Sequence, residues 1–119
     1  MAENITVDPK DAQDNKVMAI LAYLWILVLV PLLAAKESPF ARYHSNQGLI
    51  LVITYIAAFI VFVILGLVFA LIGLWWLVYL LQSVVYLGLF VITILGIVNA
   101  AKGECKPLPL IGNLFTIIK

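Results

Sequence analysis

The stretch 49-LILVITYIAAFIVFVILGLVFALIGLWWLVYLLQSVVYLGLFVITILGIVNAA-101 contains no Lys, Arg, Asp or Glu. A hydrocarbon core of roughly 30 Å is crossed by about 20 helical residues rising about 1.5 Å each. As one helix this run would measure about 80 Å, too long for a single crossing. It must fold back on itself. Gly73, followed by Trp75 and Trp76, marks the turn, because tryptophans favour the headgroup belt. The chain therefore reads as an all-α membrane protein.

Composition agrees. Of 119 residues, 66% are hydrophobic and 11% charged, too few charges to solvate a chain this small. A net charge of +1 provides no basic footprint, so no nucleic-acid partner is expected. Cys105 is the one cysteine, which excludes an internal disulfide and any thiolate metal cluster within the chain. Residues 1–16 form a polar leader, acidic where a signal peptide would be basic. Asp8 before Pro9 suits an N-cap with proline at the first helical position, so a short surface helix competes with a disordered leader.

Working outward from the uncharged run gives three expected spans within a membrane domain over 17–119. The first covers 17–35, an uncleaved span with Pro31 kinking or ending it. Ser38 and Pro39 then cap a second helix that begins in the interface and crosses over 48–72. The third span, 75–101, measures about 40 Å and should tilt or emerge. Gly103 is placed as its stop, with Lys102 beside the negative end of the helix dipole. Residues 107–119 are apolar but too short to cross, and read as an interfacial stub. Three spans put Lys10, Lys16 and the turn on one side, and Lys36, Arg42, Lys102, Lys106 and Lys119 on the other. Five basic residues against two place the C-terminus in the cytoplasm of a prokaryotic cell, in its inner membrane.

Two groups of residues stand out. Tyr79, Gln82, Ser83, Tyr86, Thr93, Gly96 and Ala100 follow a near three-and-four spacing along the third span. With Gly66, Ala70 and Gly73 of the second span they suit helix packing, where small residues allow close approach and hydroxyls bond across helices. A polar pathway through Gln82 is the functional alternative. The second group is interfacial. His44 and Gln47 share a helix face, and antiparallel pairing brings them level with Asn99 and Lys102. With Arg42 they form an expected interaction cluster that ties the two helices together. Histidine as a residue type titrates near neutral pH, so a sensor or ligand site competes with a structural role.

No acidic residue lies in the apolar run, where transporters and proton pumps place ionisable groups. No catalytic triad, metal-binding histidine spacing or phosphate loop is present, so no enzyme activity, cofactor or metal is expected.

The motifs Lys36-Glu37-Ser38-Pro39-Phe40 and Arg42-Tyr43-His44-Ser45-Asn46-Gln47-Gly48-Leu49 carry a resemblance. With Ala100-Ala101-Lys102-Gly103-Glu104 and Lys106-Pro107-Leu108-Pro109-Leu110-Ile111-Gly112, they resemble a family of small prokaryotic membrane proteins. That family is related to the twenty-kilodalton component of the chloroplast inner-envelope protein translocon. The resemblance covers about residues 18–114, with its specificity confined to these motifs. It implies a helical membrane domain and, in the plastid relatives, four spans and a part in protein import. The prokaryotic members are mostly without assigned function. The expected role is thus a non-catalytic, multi-span protein that acts by association with itself or other membrane proteins in the lipid bilayer, with a link to translocation. The alternative is a small channel or transporter built by oligomerisation.

Overall fold

A computed structural model describes residues 7–113. The described residues are all-helical in order: α1 (Pro9–Asp14), α2 (Lys16–Leu21), a 3-10 turn (Trp25–Val28), α3 (Leu29–Ala34), α4 (Pro39–Ala70) and α5 (Trp75–Ala101). Helices α4 and α5 form an antiparallel hairpin, and the short elements gather around its open end. The molecule measures 57 × 22 × 22 Å, a small head on a long apolar hairpin.

Both long helices end alike. Leu74 N–H donates to the Phe69 carbonyl at 2.9 Å and Gly73 N–H to Ala70 at 3.2 Å. After α5, Glu104 N–H donates to Asn99 at 2.9 Å and Gly103 N–H to Ala100 at 3.2 Å. Each is a Schellman closure, with a left-handed glycine after the last turn (φ 75° at Gly73 and at Gly103). The start of α4 is capped twice. The Ser38 hydroxyl accepts from Ala41 N–H at 3.0 Å, and Asp11 reaches across from α1 to accept from Phe40 N–H at 3.1 Å. A carboxylate here also meets the positive end of the helix dipole.

The two long helices are each long and apolar enough to cross a membrane, and only 17% of either one's most apolar window is buried. The core helices of a soluble protein would instead be mostly covered. Exposure grows toward the turn, where Leu71 is 86% accessible. The polar residues are inside instead: His44, Ser45 and Gln47 are fully buried and Asn46 nearly so.

Residues 17–35 do not form the single helix expected of a first span. Helix α2 stops at Leu21, Trp25 takes a left-handed φ of 62°, and the chain returns through the 3-10 turn and α3. Packing explains the break. A Cβ on Gly48 would overlap the Ala22 carbonyl, and one on Gly96 would lie 2.5 Å from the Tyr23 ring. The bend is thus seated directly on glycines of both long helices. The expected interfacial stub also differs over 107–113. These residues lie against the head in turns, with Leu108 2% exposed, while 114–119 fall outside the described residues.

The bend changes the charge arithmetic. Six of the seven Lys and Arg residues are described (Lys10, Lys16, Lys36, Arg42, Lys102 and Lys106), and all six belong to the head. The split is six against none among the described residues, where the three-span reading gave five against two.

Candidate functional site

The buried polar run on the first turns of α4 joins four parts of the chain. His44 is central. Its Nε2 lies 2.8 Å from the Glu104 carbonyl, and its Nδ1 lies 2.6 Å from the Tyr23 hydroxyl. A carbonyl can only accept, so Nε2 carries the proton; in the neutral ring Nδ1 then accepts from the tyrosine. Three rings enclose the imidazole edge-to-face: Phe40 at 4.7 Å, Tyr23 at 5.5 Å and Tyr43 at 5.6 Å between centroids. Both ring nitrogens are engaged, so the arrangement offers no free base.

Gln47, one turn on, spends its whole amide on the C-terminal segment. Its Oε1 accepts from Leu108 N–H at 2.8 Å and its Nε2 donates to the Gly112 carbonyl at 3.1 Å. Gly112 has no room for a side chain, since a Cβ would collide with Leu108 and with the Gln47 amide. Asp11 performs the matching task on the other side. Its Oδ1 accepts from the Ser38 hydroxyl at 2.6 Å and from Asn15 Nδ2 at 2.9 Å. His44, Gln47 and Asp11 therefore latch the bend, the α5 cap, the C-terminal segment and α1 to one helix end.

Of the other expected cluster residues, Arg42 lies at the rim, with Nη1 donating to the Lys36 carbonyl at 3.2 Å. Asn99 enters through its backbone carbonyl in the α5 closure, and Lys102 caps α5, exposed to solvent. Asp11 and Tyr23 were not singled out from sequence, and Glu104 and the 108–112 turn entered there only as motif residues with no role assigned. The Glu104 carboxyl is held below its usual range by its hydrogen bond to Lys106, with Lys102 adding to the effect. Burial, and secondarily the Asp11 charge, pushes the Cys105 thiol up to about 11. Cys105 is 3% exposed, a protonated thiol in the head core.

The helix-packing candidates divide. Gly96 seats the Tyr23 ring, and Tyr86 stacks on Tyr55 with centroids 6.2 Å apart and 12° between planes. Tyr55 also shares a hydrogen bond of 3.0 Å with Thr93, joining α4 to α5. Gln82 is half-buried beside Phe59, Phe62 and Gly66. Tyr79 and Ala70 face outward, and a Cβ on Gly66 would meet open space. Among the described residues no three His, Cys, Asp or Glu side chains are grouped to hold a metal.

No solved structure matches the chain. A relative named magnetosome protein MamF, from Magnetospirillum gryphiswaldense, is 31% identical over 99% of this chain and 100% of its own length. The MamF protein of Paramagnetospirillum magneticum is 30% identical over the same shares. Residues 14–115 match the model of the magnetosome magnetite crystal formation protein family. These matches overturn the resemblance to translocon-related proteins and the link to translocation drawn from it. The residues that carried it are those the head requires: the Ser38-Pro39 cap, His44, Gln47 and Gly48, then Gly103 and Gly112. By family model and by full-length relatives, the chain belongs to the magnetosome magnetite crystal formation protein family.

Proposed function

We propose that this chain is a non-catalytic magnetosome membrane protein that supports magnetite crystal formation by associating with membrane lipids and other membrane proteins. The observation that carries this reading is charge segregation. All six described basic residues and the described acidic residues Asp8, Asp11, Asp14, Glu37 and Glu104 sit at the head. The turn at the opposite end presents Leu71, Ile72, Gly73 and two tryptophans. Basic residues favour the cytoplasmic face, so the hairpin crosses the bacterial membrane twice with its head in the cytoplasm. A mineral growing beyond the far face would meet no charged side chain of the described residues. The contribution to crystal growth then runs through the membrane and its other proteins. The outward placement of Ala70, Tyr79 and Ser83 supports helix contacts with such partners or a second copy.

A conducting pore needs a continuous polar route, and the far end supplies apolar and aromatic groups instead. Deleting the chain from a magnetite-forming bacterium should alter crystal size or form. The wild type should restore it. A His44→Ala, Gln47→Ala variant should still insert in the membrane but fail to restore the crystals. Unchanged crystals after deletion would refute the reading.

A further inference from the structure

The bend between α2 and α3 carries an apolar surface that the head does not use. Trp25, Ile26, Leu27, Leu29 and Leu33 are all exposed, with Ile26 at 65% and Leu33 at 66%. Lys16 and Lys36 bracket the segment, and both lie at the charged end of the molecule. Helix α2 descends beside the last turns of α5, from the level of Lys102 and Gly103, where Lys16 shares a cleft with them, to Tyr23 on Gly96. Trp25 lies lower still, across a cavity of about 450 Å³ that it lines with Leu51, Tyr55 and Thr93. Thr93 is nine residues above Lys102 in the chain, about 14 Å along the helix. The chain then climbs back, with Val28 beside Gly48 and Lys36 beside Arg42. The segment is a V whose vertex is the left-handed Trp25, and whose reach is about half of a roughly 30 Å hydrocarbon core.

We propose that this bend is a wedge embedded in the head-side lipid leaflet, and that it biases the protein toward membranes in which that leaflet is convex. The occupant of the exposed face is lipid because that face continues the lipid-facing surface of the hairpin at the same level. Flanking lysines at both ends fix the segment to one side. From Lys102 to Trp75 the hairpin runs 27 residues, about 40 Å, close to the roughly 40–45 Å of a bilayer with its headgroups, so Trp25, about 14 Å in, lies below the headgroups among the upper acyl chains. The apolar cross-section is then a hairpin plus a bend in one leaflet and a hairpin alone in the other. Extra apolar area in one leaflet is relieved when that leaflet curves outward, which is why interfacial insertions respond to curvature.

The test uses the full chain with Trp75→Phe and Trp76→Phe, leaving Trp25 as the single tryptophan, reconstituted in phosphatidylcholine and phosphatidylglycerol vesicles. Bromines on the upper acyl chain should quench Trp25 at least about twofold more than bromines at the chain ends or aqueous iodide, as for an interfacial segment. Strongest quenching by iodide would put the bend in water. Strongest quenching at the chain ends would mean a full crossing. Quenching by none would mean cover by a second copy. Each of these overturns the proposal. Protease access to the head then reads orientation. In small sonicated vesicles the head-out fraction should exceed that in large extruded ones by about twofold, and Ile26→Asn with Leu33→Asn should abolish the difference. Both residues are exposed, so the double variant leaves the head core intact. Equal orientation in small and large vesicles would refute the curvature bias.

Discussion

Ser45 and Gln47 are both fully buried polar side chains two residues apart, and the structure gives them opposite energetic standing. The Ser45 hydroxyl has no hydrogen-bond partner, whereas each end of the Gln47 amide is bonded. Ser45→Ala should therefore be neutral or slightly stabilising. Gln47→Leu leaves the Leu108 N–H and Gly112 carbonyl buried and unpaired, a loss of about 2–6 kcal/mol at about 1–3 kcal/mol per orphaned group. Thermal unfolding in detergent compares the two directly. Equal effects would mean that the 107–113 segment is not held as described. Cys105 gives a second residue-scale expectation. A thiol raised from 9.0 to about 11 holds about a hundredfold less thiolate at neutral pH. Maleimide should label it slowly in the native protein and rapidly after denaturation. Equal rates would contradict its burial. His44 and Gln47 stood out in the sequence as polar residues on one face, but their partners did not. Glu104, Leu108 and Gly112 contribute backbone groups, which every residue has and no side-chain pattern marks. Tyr23 was hidden inside what read as a continuous apolar span.

At the scale of elements, the two Schellman closures look identical but do different jobs. Gly73 closes an exposed turn, and a Cβ there meets nothing, so Gly73→Ala should cost only the left-handed backbone, about 1 kcal/mol. Gly103→Ala carries the same strain, adds a 3.3 Å contact with Ala12, and shifts the Glu104 carbonyl that His44 needs. It should destabilise the protein by at least about 1 kcal/mol more, the worth of that hydrogen bond. Equal losses in chemical denaturation would separate the α5 cap from the His44 latch. The boundaries of α4 and α5 were legible because Ser38, Pro39, Gly73 and Gly103 are local signals that act on their own helix. The break in residues 17–35 was not. Hydropathy and length measure how apolar a segment is, and they do not register that Gly48 and Gly96 offer seats to a bend. Those two glycines are distant in sequence, and their purpose appears once the helices are paired.

Across the whole molecule, an uncharged run fixes a hairpin, and the hairpin fixes everything else. Folding 49–101 in half brings the start of α4 beside the end of α5, so the polar residues flanking the run converge into one head. The same geometry separates a charged end from an apolar end. A hairpin that crosses twice requires residues 17–35 to return to the side they left, so that leader, bend exit and C-terminal segment share one face of the membrane. Single cysteines introduced by Asp14→Cys, Lys36→Cys or Ile72→Cys in a Cys105→Ala background, probed with an impermeant maleimide on right-side-out and inside-out membrane vesicles, test it most directly. The cysteines at 14 and 36 should be labelled together from the cytoplasmic face and the cysteine at 72 from the opposite face. Labelling of 14 and 36 from opposite faces would contradict it, because residues 17–35 would then cross the membrane as a third span.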